Sequence, residues 1–254
     1  MRLHVFDIDG TIAEDTLGLS EKMVDTLLKI KETDMVWFAT GRGYLSAQKG
    51  LLENKNLMLD SRIAVENGGK VYFNDELITP PSKFTEKQVD LISYWIESNK
   101  RSIKLCHFWN GSKLDAYFKS DKFFPKSKHE FLSRQISIND LVDEFQKIDP
   151  SLLHVRFNKL ISLPNGIKHY NHENGFTLMP EGTSKALIFR DLPAVIDTVC
   201  IYGNGTNDAD MFNATIDIPK TLHCVGNNPL LVKLCDVHLE NPNMLADYLI
   251  EKYL

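Results

Sequence analysis

The stretch Leu3-His4-Val5-Phe6-Asp7-Ile8-Asp9-Gly10-Thr11 decides the architecture. Its apolar front has the length of a buried strand and empties abruptly into two carboxylates, a glycine and a hydroxyl. In open α/β sheets, ligands bind at the carboxyl ends of such strands. Strand alternation sets Asp7 and Asp9 on the same side. Two acids that close repel unless a cation sits with them, so the pair suggests a Mg²⁺ site. A plain polar turn eased by Gly10 would leave the same letters, so the stretch needs corroboration from elsewhere in the chain.

Working outward, Ser20 offers an N-cap to a helix carrying Met23, Val24, Leu27, Leu28 and Ile30 at helical spacing. Residues 35–39 read as a second buried strand, ending at Thr40-Gly41-Arg42, and 43–55 as a helix. Residues 63–65 form a third strand before Glu66-Asn67-Gly68-Gly69, with a small hairpin at 71–73. This alternation predicts a parallel α/β sheet with right-handed crossovers. Pro80-Pro81-Ser82 then breaks the rhythm. Beyond it, amphipathic helices at 85–98 and 138–148 mix with strands at 102–108, 116–119, 152–157 and 159–163. The expectation is an α+β insert over 82–176, hosted by a domain made of 1–81 and 177–254. Past the insert, Ser184-Lys185 opens a helix to 190. Strands at 199–202 and 222–225 follow, with helices at 208–213, 229–234 and 242–253.

The 254 residues are 43% apolar and 25% charged, a composition that argues against disorder. The net charge of −5 gives no electrostatic footprint for nucleic acid. The apolar runs fall far short of the ~20 residues that span a bilayer. The N-terminus meets acids almost at once, unlike a secretory signal. The expectation is a cytoplasmic protein with no nucleic-acid or membrane partner, a monomer or weak homodimer. Cys106, Cys200, Cys224 and Cys235 show neither a C-x-x-C pair nor zinc spacing and read as small buried apolar residues. His169 and His172 lack partnering acids or thiols nearby and read as loop or strand residues.

Three further strand ends corroborate the first. Thr40-Gly41-Arg42 places a hydroxyl and free N–H groups at a strand-to-helix turn, an anion cradle. Lys185 supplies a point cation suited to phosphate. Gly203-Asn204-Gly205-Thr206-Asn207-Asp208 brings oxygen groups able to hold a metal, although a Gly/Asn turn capped by Asp208 would look the same.

In this order, over the whole chain, the segments resemble the haloacid dehalogenase (HAD) superfamily, and within it the Cof-like type IIB phosphatases. Those carry a cap inserted between the second and third motifs. The Asn67-Gly68 turn and Gly226-Asn227-Asn228 fit that group as well. The resemblance implies an α/β fold, a Rossmann-like parallel sheet core with an inserted α+β cap domain that closes over substrate. It implies Asp7 as a nucleophile forming an aspartyl-phosphate, and Asp9 as the acid and later the base. Thr40, Asn207 and Lys185 would hold the phosphoryl group, with Gly10, Gly41, Arg42 and Asn67 completing the phosphate and substrate contacts. Mg²⁺ would sit on Asp7, the main-chain carbonyl of Asp9, Asn204 and Asp208. The chain departs from the group at Asn204, where Asp is usual, so a neutral oxygen replaces a full charge and metal affinity should fall. The implied activity is Mg²⁺-dependent hydrolysis of a small phosphorylated metabolite, a sugar phosphate first. A phosphosugar mutase like the phosphomannomutases and a non-catalytic ligand-binding relative are the alternatives. In the insert, Arg156, Lys159, Lys168 and His172 are cations able to read a second phosphate or hydroxyls.

Overall fold

The computed structural model describes residues 1–14, 18–51, 54–109, 116–120, 134–148, 150–157, 161–163, 165–172 and 175–254. The chain divides into two compact units. One joins Met1–Pro80 to Ser184–Leu254, and the other is the continuous span Pro81–Thr183.

The first unit begins with β1 (Arg2–Phe6), α1 (Glu21–Ile30), β2 (Met35–Ala39), α2 (Tyr44–Leu51), α3 (Lys55–Met58), β3 (Arg62–Val65), β4 (Lys70–Phe73) and β5 (Glu76–Leu77). Ser20 caps α1 by accepting from the Met23 N–H at 3.2 Å, which turns Met23, Leu27 and Ile30 inward. The helix expected over 43–55 is two pieces, α2 and α3, with 52–53 outside the described residues.

The second unit follows with α4 (Glu86–Asn99), β6 (Ile103–Trp109), β7 (Ala116–Lys119), β8 (Arg134–Gln135), α5 (Leu141–Ile148), β9 (Leu152–Phe157), β10 (Lys168–His172) and β11 (Gly175–Met179). Its sheet runs β10-β11-β9-β6-β7-β8, antiparallel except for the β7–β8 pair. Ile92, Trp95 and Ile96 of α4 and Leu141, Phe145 and Ile148 of α5 share an apolar cluster with Cys106, Phe108, Leu153, Val155 and Leu178 of the strands. Helices on one face of a largely antiparallel sheet make this unit α+β. Sequence reading closed the insert at 176, inside β11, whereas the unit runs to Thr183. The reason is hydrogen bonding: β11 pairs on both sides, with β9 and β10. Of the strand expected at 159–163, Lys159 lies outside the described residues and 161–163 form no strand.

Back in the first unit, the chain continues through β12 (Thr198–Gly203), α6 (Ala209–Phe212), β13 (Lys220–Val225), α7 (Pro229–Val232), β14 (Val237–Leu239) and α8 (Pro242–Tyr253). The helix expected after Lys185 is a 3-10 turn, Lys185–Phe189. The strand order is β14-β13-β12-β1-β2-β3-β4-β5, parallel from β14 to β3 and antiparallel through the β4–β5 edge. Alternation along β1 sends Phe6 into a cluster with α1 and α8 residues Leu27, Leu245 and Leu249. It sends Leu3 and Val5 to the other face, with Ile188, Met211, Phe212 and Leu231. Burial on both faces explains why these strands are unbroken apolar runs. It also leaves the strand ends as the place where polar side chains collect. Among the described residues, no helix is long and apolar enough to cross a membrane.

Candidate active site

Asp7 follows β1 directly, and its N–H, donating to Tyr202 O at 3.0 Å, keeps it in line with β12. The next residues fold back on themselves. Thr11, Ile12 and Ala13 all donate to Ile8 O, while Gly10 N–H donates to Ala13 O at 2.8 Å. Gly10 adopts φ +82°, and its missing Cβ leaves room for the Asn204 side chain, whose Nδ2 would lie 2.0 Å from such an atom. With its N–H on Ala13 O, Gly10 serves here to make space for Asn204.

Lys185 is fully buried and lies between two carboxylates, with Nζ 2.5 Å from Asp7 Oδ1 and 2.5 Å from Asp208 Oδ1. Burial alone would lower the ammonium's pKa, but the charges of Asp208 and Asp7 outweigh it and raise the pKa. Asp7 is 5% exposed, and burial pushes its carboxyl up to about 7; Asp208 adds to the rise and Lys185 opposes it. Two buried acids thus share one cation, and the surplus negative charge suits a further positive group.

Asp208 is committed on both oxygens. Oδ1 accepts from Lys185, and Oδ2 accepts from the N–H groups of Asn204 and Gly205 at 2.9 and 2.8 Å. Fully buried, it holds the lysine and shapes the 204–205 turn. Hard oxygens remaining for a cation are the Asp7 carboxylate, the Asp9 carbonyl and Asn204 Oδ1. Among the described residues, no group of three or more His, Cys, Asp or Glu side chains is placed to hold a metal. Sequence reading left Thr11 unassigned. Its buried hydroxyl donates to Asp7 Oδ2 at 3.0 Å and approaches Asn204 Oδ1 at 3.3 Å, tying two distant strand ends. The signal was its place in the opening stretch.

Thr40 ends β2, its hydroxyl accepting from the Arg42 N–H at 3.1 Å, which leaves the hydroxyl proton free to donate. Glu66, Asn67 and Gly68 follow β3 with φ of 54°, 56° and 89°, three left-handed residues in a row. A Cβ on Gly68 would fall 1.9 Å from Ser184 O, so this turn registers the chain just before Lys185. Asn67 Oδ1 accepts from Asn207 Nδ2 at 2.9 Å and lies against Gly41. Asp7, Thr40, Gly41, Asn67, Lys185, Asn204, Asn207 and Asp208 are therefore linked by contacts at one end of one sheet. A buried Glu66–Lys70 ion pair at 3.2 Å beneath the turn was not anticipated.

Arg42, expected to touch substrate, forms a two-point ion pair with Asp9 through Nε and Nη2. In the second unit, Arg156 donates to His154 at 3.2 Å and Lys168 to Thr183 O, so both are engaged there. The side chain of His172 lies outside the described residues.

A buried lysine joining two acids beside a hydroxyl and amide cradle makes this end of the α/β sheet the candidate site. By its sequence, the chain belongs to the haloacid dehalogenase-like hydrolases, whose family model matches residues 4–234. Comparison of the sequence with curated proteins finds no match. Among solved structures it is similar to a HAD subclass IIB sugar phosphatase, with 16% identity, TM-score 0.74, and coverage of 99% of this chain and 98% of that one. It is also similar to a haloacid dehalogenase-like hydrolase from Bacteroides thetaiotaomicron, with 19% identity, TM-score 0.70, and coverage of 98% of each chain. A haloacid dehalogenase-like hydrolase from B. subtilis gives 14% identity, TM-score 0.70, and coverage of 99% and 100%. These likenesses show the fold: a Rossmann-like sheet core with an inserted α+β cap domain.

Proposed function

We propose that the chain is a phosphatase acting on a small phosphorylated metabolite, a sugar phosphate in the first instance, with Asp7 as nucleophile. The carrying observation is the Asp7–Lys185–Asp208 chain, which fixes a carboxylate at the end of the central strand with a cation against it. Asp7 attacks phosphorus and the leaving alkoxide takes a proton from Asp9. Water then attacks the aspartyl-phosphate as Asp9 recovers a proton, and phosphate departs. The Thr40 hydroxyl, the Gly41 N–H, Asn207 and Lys185 hold the transferring group, so the protein's contribution is positioning and charge neutralisation. The Asp7 carboxylate, the Asp9 carbonyl and Asn204 Oδ1 would hold Mg²⁺, which when bound supplies the positive charge that lets one anion approach another. Asp208 keeps Lys185 and the 204–205 turn in place.

The test is phosphate release from an aryl phosphate and a panel of hexose and pentose phosphates at saturating Mg²⁺, with Asp7→Asn as control. Release by the wild type alone supports the reading. No release from any ester refutes it, and an isomerised sugar phosphate in place of free phosphate identifies a mutase.

A further inference from the structure

Arg42 stands beside the Thr40–Gly41 cradle, where a cation would ordinarily be read as a phosphate ligand. Its surroundings point elsewhere. Nε donates to Asp9 Oδ2 at 2.7 Å and Nη2 to Asp9 Oδ1, so one whole edge of the guanidinium matches one carboxylate. The Arg42 side chain is 7% exposed and that of Asp9 is 38%, so solvent reaches the acid and not the base. The Arg42 main chain is pinned as well, with its N–H on Thr40 Oγ1 at 3.1 Å and its carbonyl accepting from Glu66 N–H at 2.8 Å. The guanidinium thus hangs from two strand ends and aims at a third.

We propose that Arg42 is the positioning residue of Asp9, holding that carboxylate toward the attacking water, and not a ligand of the substrate. The proposal rests on the phosphatase reading above. A carboxylate with both oxygens accepting from one rigid guanidinium keeps a single orientation toward the attacking water. Arg42 therefore acts most strongly in the second half-reaction. There the water oxygen bonds to phosphorus, the bond from phosphorus to the Asp7 oxygen breaks with its electrons returning to Asp7, and the water's proton passes to Asp9. An aryl phosphate with a good leaving group needs no proton in the first half-reaction, so it separates the two steps.

The experiment compares wild type, Arg42→Gln, Arg42→Lys, Asp9→Asn and the Asp9→Asn/Arg42→Gln double variant on p-nitrophenyl phosphate in stopped flow and steady state. For Arg42→Gln, kcat falls about 10²-fold, as expected for a displaced catalytic group. Its apparent KM falls with kcat, kcat/KM stays within about threefold, and a stoichiometric burst of p-nitrophenol marks the trapped phosphoenzyme. Arg42→Lys keeps the charge without the planar two-donor edge and falls between; it carries the same reading should Arg42→Gln not fold. The double variant is no slower than Asp9→Asn, because the two residues act as one unit. A raised KM with kcat retained and no burst makes Arg42 a substrate ligand and overturns the proposal alone. A wild type inert on every phosphoester removes the phosphatase reading and this role with it.

Discussion

Replacing Lys185 by Met is the most informative single change. The methionine matches the length of the aliphatic stem but removes the cation contacting both Asp7 and Asp208, leaving two buried carboxylates without it. Taking one partner from a buried ion pair costs about 3–5 kcal/mol, because the stranded charge cannot regain its water. For a chain of this size each kcal/mol is worth roughly 2–4 °C, so the melting temperature should fall about 6–20 °C near pH 8. The pH dependence identifies the cause. Once protonated, Asp7 needs no counter-charge, and burial raises its carboxyl to about 7, so the deficit must shrink as the pH is lowered through that value toward 4. The assay is calorimetric melting of both proteins from pH 4 to 8 in EDTA. A loss under 2 °C at pH 8, or a deficit constant across the series, would refute the electrostatic reasoning.

Asp7→Asn should abolish phosphate release yet stabilise the protein at pH 8 in EDTA. The Asp7 carboxyl is raised to about 7 from 3.8 by burial, so the folded state holds a proton that the unfolded chain loses between those values. Stability therefore declines as the pH rises through that window, and urea melts should show the variant's advantage closing by pH 4. Asn204→Asp restores a charged oxygen and should tighten Mg²⁺ binding on the order of tenfold, read by titration calorimetry without substrate. Gly68→Ala places a methyl 1.9 Å from Ser184 O at φ +89°; thermal melts should show a loss of at least about 2 kcal/mol, with activity falling as Lys185 is displaced.

The strand ends were legible because a buried strand stops abruptly where polar chemistry begins, and Asp7, Thr40 and Asn207 stand at or just past such a stop, whereas Lys185 opens a 3-10 turn. What was hidden depends on how turns aim side chains. Nothing in the spacing of Asp9 and Arg42 reveals a two-point ion pair, since they lie 33 positions apart with a whole helix between them. Asp208 stood out as a candidate metal ligand, but nothing in the sequence shows that its turn folds two N–H groups onto one of its oxygens. The Glu66–Lys70 pair has the spacing of a helical couple, yet it sits on a left-handed turn that only the Asn67-Gly68 dipeptide hints at. Strands β10 and β11 escaped notice because His169, Asn171 and Thr177 give a polar alternation that resembles a loop, and the insert was drawn too short as a result. β14, three residues long, is below what periodicity can register.

The pairing of β1 with β12, Leu3 opposite Val199, carries a consequence for the newborn chain. One edge of β1 can meet β2 early, with Leu3 opposite Met35, but its other edge stays open until β12 has been made, after the whole of 81–183. The contacts of Asp7 with Lys185 and Asp208 therefore cannot form until the last third of the chain exists.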